Sequence, residues 1–580
     1  MSFLSQSNIG VLLFVGVIFV VPLIVPFIAP RAIRSLLGVL ADRPRFVLGL
    51  VFAVSLGISG SLTHATGVPP PTIHDEFSYL LAADTFAHGR LTNPPSPFFR
   101  SFDTFHVLQQ PTYQSKYPPA QGLFLAFGKI LTGFPITGAW IEIALAATAL
   151  SWMFYAWFPR RWALLGSTLV CLHPAMMMWS QCYWGGGAAL LAGALLFGGI
   201  RRFADVPLSR YAFTATCGAG LLVLSRPYEG LTAILIACGM LLIQLRNADP
   251  SMKKAAIRAF APALVPLVLA LGFTGLYDRD VTGSVIRLPY ALYESAHFQV
   301  PAFLFQHLKR EPTGIPPAMH AMNGYYMSEY LSSTSSVSGI ILGGLKKLIE
   351  IWRVLLEINN INAFPHYPIL VMGLWQSTFQ FALFVPILWL LAAARRDRWL
   401  ALAFVGACLG AAALVVETWF NTHYAAPFAP LGAVLLLGSL RQLNAWTIDR
   451  RRIGKSVVGM LVVIYIVSFF VCFRQEAQCE FAPWAVQRTR IESMLERESR
   501  PSIVLVRYSP KHFWGHEWVY NGCDLERDHV LWARSIDPVE DSRLLAHYHG
   551  RQVWLLEPDK NPATLTSYSG IPATDTKDDY

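Results

Sequence analysis

The sequence predicts an α-helical polytopic membrane protein of about twelve spans, ending in a small α/β domain. Three observations carry that expectation. Hydrophobic residues make up 54% of the 580 and charged residues only 14%, against about 25% charged in ordinary soluble domains; mean hydropathy is +0.42. Apolar runs recur along the chain, many near the ~20 residues that a helix needs to cross a bilayer. Lys and Arg gather in alternate links between these runs, as they do in cytoplasmic loops. The net charge of +10 therefore orients a membrane protein and does not point to nucleic acid.

The apolar runs fall at 9–29, 46–64, 136–158, 163–180, 185–200, 211–225, 230–245, 259–276, 369–394, 399–416, 427–440 and 456–473. The first lacks the basic flank and small-residue cleavage site of a signal peptide, so it reads as a retained span. Arg31, Arg34, Arg43 and Arg45 follow it; Arg160 and Arg161, Arg201 and Arg202, Lys253 and Lys254, Arg395 and Arg396, and Arg450 to Arg452 fall in later alternate links. One orientation satisfies the positive-inside rule throughout. It puts both termini outside the cytoplasm, with a first outer loop (65–135), a long outer loop (277–368), the link Glu417 to Pro427, and the tail from Arg474.

Residues 1–473 then form the membrane domain and 474–580 an outer domain. In the tail, Ser502–Val506, Glu517–Tyr520, His529–Ala533 and Gln552–Leu556 read as short strands, and the last residues, 573–580, as a frayed end. Cys171, Cys182, Cys217, Cys238 and Cys408 lie in or beside apolar runs and read as packing residues. Cys479 and Cys523 lie in the tail and are disulfide candidates in an outer compartment.

The densest chemical cluster is His74-Asp75-Glu76-Phe77-Ser78-Tyr79, where the first outer loop begins. Asp75 opens a helical pattern that Gly89 stops, and Thr72 with Asp75 has capping-box spacing. Two acids in a first turn complement the helix dipole, or they do chemistry at a membrane surface; the residues alone leave both readings open. Further on, Lys116-Tyr117-Pro118-Pro119 sets a lysine at a helix start, either snorkelling at the interface or holding an anionic headgroup. Arg226, in Ser225-Arg226-Pro227-Tyr228-Glu229, ends an apolar run. An ionisable residue there is a functional candidate, with an ion pair to Glu229 as the plainer account. Glu142 and Glu417 fall near outer helix ends as well.

Asp-Glu opening a surface helix in the first outer loop, followed by Lys-Tyr-Pro-Pro, resembles the GT-C class of polytopic glycosyltransferases, in particular the branch of protein O-mannosyltransferases and lipid A aminoarabinose transferases. The resemblance covers mainly Phe46 to Glu229, and this chain departs from it in carrying one more span before the motif. It implies transfer of a sugar from a polyprenyl-phosphate donor to an unknown glycan, lipid or protein acceptor, outside the cytoplasm, in a membrane that is implied to be the bacterial inner membrane. It implies Asp75 as general base, Glu76 as a residue that supports the site from behind or orients the acceptor, and Lys116, Arg226, Tyr117 and Tyr79 as donor-binding residues. Such a displacement needs a carboxylate where the acceptor hydroxyl loses its proton and fixed cations where the phosphate leaves.

Other motifs are less specific. His423, in Asn421-Thr422-His423-Tyr424, together with His74 and Asp75 or Glu76 has the residue types for a divalent metal, though a lone histidine is more often structural; no cofactor is otherwise implied. Asp278-Arg279-Asp280 has D-x-D form but reads as solvated loop. The glycines of Tyr183-Trp184-Gly185-Gly186-Gly187 permit close approach of a sugar or lipid, or a tight turn. The chief rival function is a transporter or flippase of a lipid-linked sugar, which calls for internal repeats and midplane charges. A non-catalytic scaffold is the other rival, and it leaves Asp75, Glu76 and Lys116 without a role.

Overall fold

The computed structural model describes residues 31–246, 248–354, 384–560 and 562–568. The apolar run 9–29, most of 369–394 and the end 573–580 lie outside these residues. Seven described helical segments are long and apolar enough to cross a membrane: Pro44–Thr66, Ile136–Trp157, Gly187–Asp205, Pro227–Leu245, Pro250–Thr282, Arg398–Val415 and Ile453–Glu476. The expected run 211–225 is a helix of 17 residues, Ser209–Ser225, and 427–440 one of 16, Ala429–Asn444.

The run 163–180 is not one helix. It breaks into Arg160–Cys171 and Pro174–Trp179, because Pro174 has no backbone N–H to continue the first helix and its ring excludes the preceding turn. The same property starts helices elsewhere. Pro44, Pro119, Pro227, Pro289, Pro317 and Pro483 each open one, where a missing N–H costs nothing.

Small residues let the membrane helices meet closely. Gly128 and Gly138 face each other across the hairpin of Pro119–Thr132 and Ile136–Trp157, and a Cβ on either would collide with the partner backbone. The basic links meet one another. Arg160 pairs with Asp42 at 2.9 Å, Arg398 donates to the Ile243 carbonyl at 3.1 Å, and the Arg201 guanidinium lies 4.7 Å from the Trp399 ring.

At the other end of the helices, the first outer loop and the tail build a single body. The loop carries the helix His74–Ala87 and a two-residue ladder of β1 (Val107–Leu108) against β2 (Gln114–Ser115). The tail holds β3 (Ser502–Val506), β4 (Val530–Arg534), β5 (Gln552–Glu557) and β6 (Thr564–Ser567) in the order β4-β3-β5-β6. β3 runs parallel to both of its neighbours, and β6 is antiparallel to β5.

Successive side chains of a strand point to opposite faces, and β3 uses both. Ile503 and Leu505 pack with Phe77, Leu81, Phe102, Val107 and Tyr113 of the first loop. Val504 and Val506 pack with Ile491, Leu495, Trp518 and Trp532 of the tail. The tail is thus no appended module, since one face of its sheet is completed by the loop. Phe77 stacks on Tyr520 with centroids 4.1 Å apart, and the Cys523 N–H donates to Asp84 at 2.8 Å.

The expected strand Glu517–Tyr520 does not form. Side chains do the work of a ladder there. The Arg488 guanidinium donates to the carbonyls of Trp518 and Tyr520 at 3.1 and 2.8 Å, and the Glu517 carboxylate accepts from the N–H groups of Trp518 and Val519. With its polar groups satisfied in this way, the segment needs no neighbouring strand. The other carboxylate oxygen of Glu517 meets Arg534 at 2.6 Å, both side chains being buried. Cys479 and Cys523 are both free thiols, which corrects the disulfide expectation. Cys523 is held instead by Arg90, whose Nη2 lies 2.8 Å from its sulfur.

Burial raises the pKa of the Glu517 carboxyl, and Arg534 with the Tyr508 hydroxyl and backbone N–H donors more than reverses this, so that it ends below the usual 4.5. A depressed folded value gives a stabilisation that is whole above about pH 4.5 and is lost as pH falls through the folded pKa. Glu517→Gln, which leaves Arg534 buried without its counter-ion, should cost about 3–5 kcal/mol. Limited proteolysis of the tail as a function of pH checks both points. The wild type should stay resistant until the pH drops below about 4.5, and Glu517→Gln should be cut already at neutral pH. Equal resistance of the two proteins at neutral pH would contradict the assignment.

Candidate active site

Ile73 is the N-cap of His74–Ala87, and its side chain cannot accept a hydrogen bond. Glu76 closes the helix by reaching back. One carboxylate oxygen accepts from the N–H of Thr72 at 2.7 Å, the Thr72 hydroxyl at 3.2 Å and the Ile73 N–H at 3.4 Å. The other accepts from the Tyr183 N–H at 3.1 Å. Burial pushes the Glu76 pKa up, against those hydrogen bonds. The expected pairing of Thr72 with Asp75 as the capping box is therefore corrected: Glu76, one residue on, stands where the cap is reached.

That frees Asp75. Its Oδ1 accepts a 2.5 Å hydrogen bond from the Tyr117 hydroxyl, and its Oδ2 lies 3.8 Å from His106 Nε2. Its side chain is 25% exposed, whereas Glu76 is buried, so of the two acids only Asp75 presents an accessible oxygen.

His106 is fixed by its backbone. Its φ is +65°, a region uncommon for residues other than glycine. Three hydrogen bonds hold it there: the Tyr293 hydroxyl receives its N–H at 2.8 Å, and its carbonyl accepts from Ser78 Oγ at 2.6 Å and from the Lys116 N–H at 3.1 Å. Burial, then the charge of Lys116, hold the imidazole well below its ordinary pKa, and it faces Asp75 as a neutral ring.

Tyr117 joins this acid to a cavity of about 420 Å³. Its ring stacks on Tyr79 with centroids 4.5 Å apart, and both rings line the cavity together with Lys116 and Arg226. Lys116 is buried, with Nζ 2.8 Å from Glu294 Oε1, among the rings of Tyr290, Tyr293, Tyr117 and Phe298 at 4.6–5.5 Å. Arg226 sits between Ser209–Ser225 and Pro227–Leu245 in a non-helical conformation, φ −142° and ψ 80°, as a residue before proline tends to. Its guanidinium lies 4.3 Å from the Tyr424 ring and makes one 3.4 Å contact to Glu229. Glu417 also lines the cavity; burial, then the charge of Glu229, push its carboxyl up to about 9.

Five of the sequence-predicted residues thus converge: Asp75, Tyr79, Lys116, Tyr117 and Arg226. The two histidines do not join them in a ligand group. His74 packs on Phe105 at 4.0 Å and Trp514 at 6.0 Å, and burial drops its pKa to about 4. His423 packs edge-on to Trp184 at 4.2 Å. Among the described residues neither belongs to a group of three metal-type ligands. The one such group is Asp84, His88 and Cys523, where Lys129 already lies 2.5 Å from Asp84 and Arg90 lies on the thiol. Neither arrangement fits a divalent ion.

Two further expectations change. Asp278-Arg279-Asp280 is the last part of the helix Val265–Thr282: Asp278 is buried in the cavity wall, and exposed Arg279 pairs with Asp280 at 2.9 Å. Gly186 and Gly187 serve internal packing, while Gly185 borders open space. The Glu142 carboxylate lies against Gly187, where it accepts from the Ala188 N–H, and Gly186 abuts Ala426 and Trp179.

Sequence reading missed His106, Tyr290, Glu294 and Lys309. Tyr290, Tyr293 and Glu294 have the i, i+3, i+4 spacing of one helix face just after Pro289, a helix-start signal that was available. For His106 no signal existed, because its position depends on a turn held from three other segments.

No family model and no curated protein matches the sequence. Among solved structures the chain is similar to ArnT from Cupriavidus metallidurans in the apo state, with 11% identity over 88% of this chain and 92% of that one and a TM-score of 0.47, and equally to ArnT bound to undecaprenyl phosphate. It is similar too to the Archaeoglobus fulgidus oligosaccharyltransferase, with 13% identity over 88% of this chain and 69% of that one and a TM-score of 0.44. Both are members of the GT-C superfamily. At these TM-scores the likeness assigns no function, and the reading of the site rests on its own residues.

The two acids should separate by experiment. Glu76→Ala leaves buried N–H groups unpaired and should cost about 1–3 kcal/mol, lowering the thermal midpoint of the purified protein. Asp75→Asn should leave that midpoint unchanged. Equal destabilisation by both would show that Asp75 is structural as well.

Proposed function

We propose that this protein is an integral membrane glycosyltransferase that moves a sugar from a polyprenyl-phosphate donor to a hydroxyl acceptor on the outer side of the membrane. The observation that carries the reading is the pairing of Asp75 with a cavity whose lining includes the cations Lys116 and Arg226, the acid and the cavity being joined through Tyr117.

The chemistry follows from that pairing. The acceptor oxygen bonds to the anomeric carbon as the bond from that carbon to the phosphate oxygen breaks. The acceptor proton passes to Asp75. The polyprenyl phosphate leaves with one more negative charge than it held in the donor, and Lys116 and Arg226 stand where that charge develops. Fixed cations in a dry site stabilise developing charge more than they would in water. The Tyr117 hydroxyl and the neutral His106 ring orient the Asp75 carboxylate without neutralising it. Glu76 acts by holding the helix that carries Asp75.

The alternating basic links support an outer-facing site by the positive-inside rule, which in a bacterium means the inner membrane. The acceptor is a glycan, lipid or protein that reaches Asp75 from the side of the first loop and tail.

Purified protein with a labelled polyprenyl-phosphate sugar tests the reading. Asp75→Asn should lower turnover by about 10²–10⁴-fold with donor binding retained, and Lys116→Ala should weaken donor binding itself. Turnover unchanged in Asp75→Asn, or transport of intact donor with no sugar transfer, would overturn it.

A further inference from the structure

The cavity is not simply cationic. Among its described lining residues are three cations, Lys116, Arg226 and Lys309, and four acids, Glu229, Asp278, Glu294 and Glu417. A phosphate therefore meets a wall in which carboxylates already hold Lys116 and Arg226, and Lys116 is held more closely. Its partner Glu294 is buried, meets it at 2.8 Å through Oε1, and keeps Oε2 buried with no hydrogen-bond partner among the described residues. An ion pair with one oxygen unsatisfied is a poor way to stabilise a core, because removing both charges from water costs several kcal/mol per ion. Lys309 Nζ lies against the same residue, donating to the Glu294 carbonyl at 3.3 Å, so a second cation stands at this place. Glu294 itself sits on a short helix, Pro289–His297, and lines the cavity.

We propose that Glu294 is a stand-in for the donor phosphate: its carboxylate occupies the anion position on Lys116, and the phosphate of the lipid carrier displaces it. The inference rests on the donor reading of Lys116. It makes Glu294 a specificity residue. A small free anion must displace a buried carboxylate with nothing but its own charge. A phosphate on an isoprenoid chain is concentrated beside the cavity by the bilayer that holds the chain, and so is admitted. Glu294 thereby keeps the site from filling with free phosphate.

The test is binding of farnesyl phosphate and of inorganic phosphate to the purified full-length protein. Wild type should bind farnesyl phosphate and show no competition from millimolar inorganic phosphate. Glu294→Gln keeps the side-chain shape and removes the charge. It should bind farnesyl phosphate more tightly, on the order of tenfold, since a like charge a few ångströms from the ligand is gone, and inorganic phosphate should now compete. Equal or weaker binding of farnesyl phosphate by folded Glu294→Gln, with no competition by inorganic phosphate, overturns the inference. Should Glu294→Gln fail to fold, Glu294→Asp decides: it keeps the charge but withdraws it from Lys116, and tighter binding supports the proposal while unchanged or weaker binding overturns it. Lys116→Ala separates the two readings. Farnesyl phosphate that does not bind wild type, or binds Lys116→Ala as well as wild type, removes the donor reading and this inference with it; loss of binding in Lys116→Ala with no change in Glu294→Gln removes the inference alone.

Discussion

The candidate site depends on one carboxylate that is buried outside its cavity. Glu76 supplies acceptors for the Thr72 and Ile73 N–H groups and for the Tyr183 N–H, and in doing so ties the start of the acidic helix to the link between two membrane helices. Each of those donors would otherwise be buried and unpaired. Because Glu76 does this, the preceding carboxylate is released from capping and can point elsewhere. Adjacent positions on a helix are about 100° apart, so the turn that aims Glu76 inward leaves Asp75 facing Tyr117 and His106. The tail secures the same helix from its other side through Phe77 and Leu81. The acid is thus borne by an element clamped between membrane helices and a sheet, which fixes where its carboxylate stands.

Around that acid the protein gathers aromatic rings and matched charges rather than an open basic groove. Lys116 lies among four rings and Arg226 lies over a fifth, so each cation keeps favourable contacts when it changes its carboxylate partner for another anion. A cationic site built on bare lysines would bind any phosphate. One in which Lys116 and Arg226 start out paired selects a ligand able to displace the partner, and ties the affinity of the site to what the rest of the ligand contributes.

Much of this was legible in the sequence, for reasons that differ by residue. Span positions follow from hydropathy, a property of a local window. Ser502–Val506 was legible to the residue because a strand buried on both faces is continuously apolar. Asp75 stood out in a cluster of chemically useful residues, Lys116 before two prolines at a helix start, and Arg226 as a charge at the end of an apolar run. What stayed hidden depends on contacts between distant segments. Which of two adjacent acids caps the helix turned on Tyr183, over a hundred residues away. Glu517–Tyr520 had a strand's composition, but Arg488 and its own Glu517 took the place of a neighbouring strand. Cys479 and Cys523 looked like partners in a polar tail, until folding placed Cys523 against Arg90 and Asp84 of the first loop. Glu294 was missed, and it is the packing of its short helix that sets it against Lys116.

The central claim is that one cavity binds the phosphate of a lipid carrier on Lys116 and Arg226 while Asp75 faces the carbon that reacts. A structure of the protein with a polyprenyl monophosphate bound tests this most directly. The account predicts phosphate oxygens within hydrogen-bonding distance of Lys116 Nζ and of the Arg226 guanidinium, with Asp75 still held by Tyr117 at the edge of the same cavity. Phosphate bound elsewhere, with the Lys116–Glu294 and Arg226–Glu229 pairs intact, would contradict it.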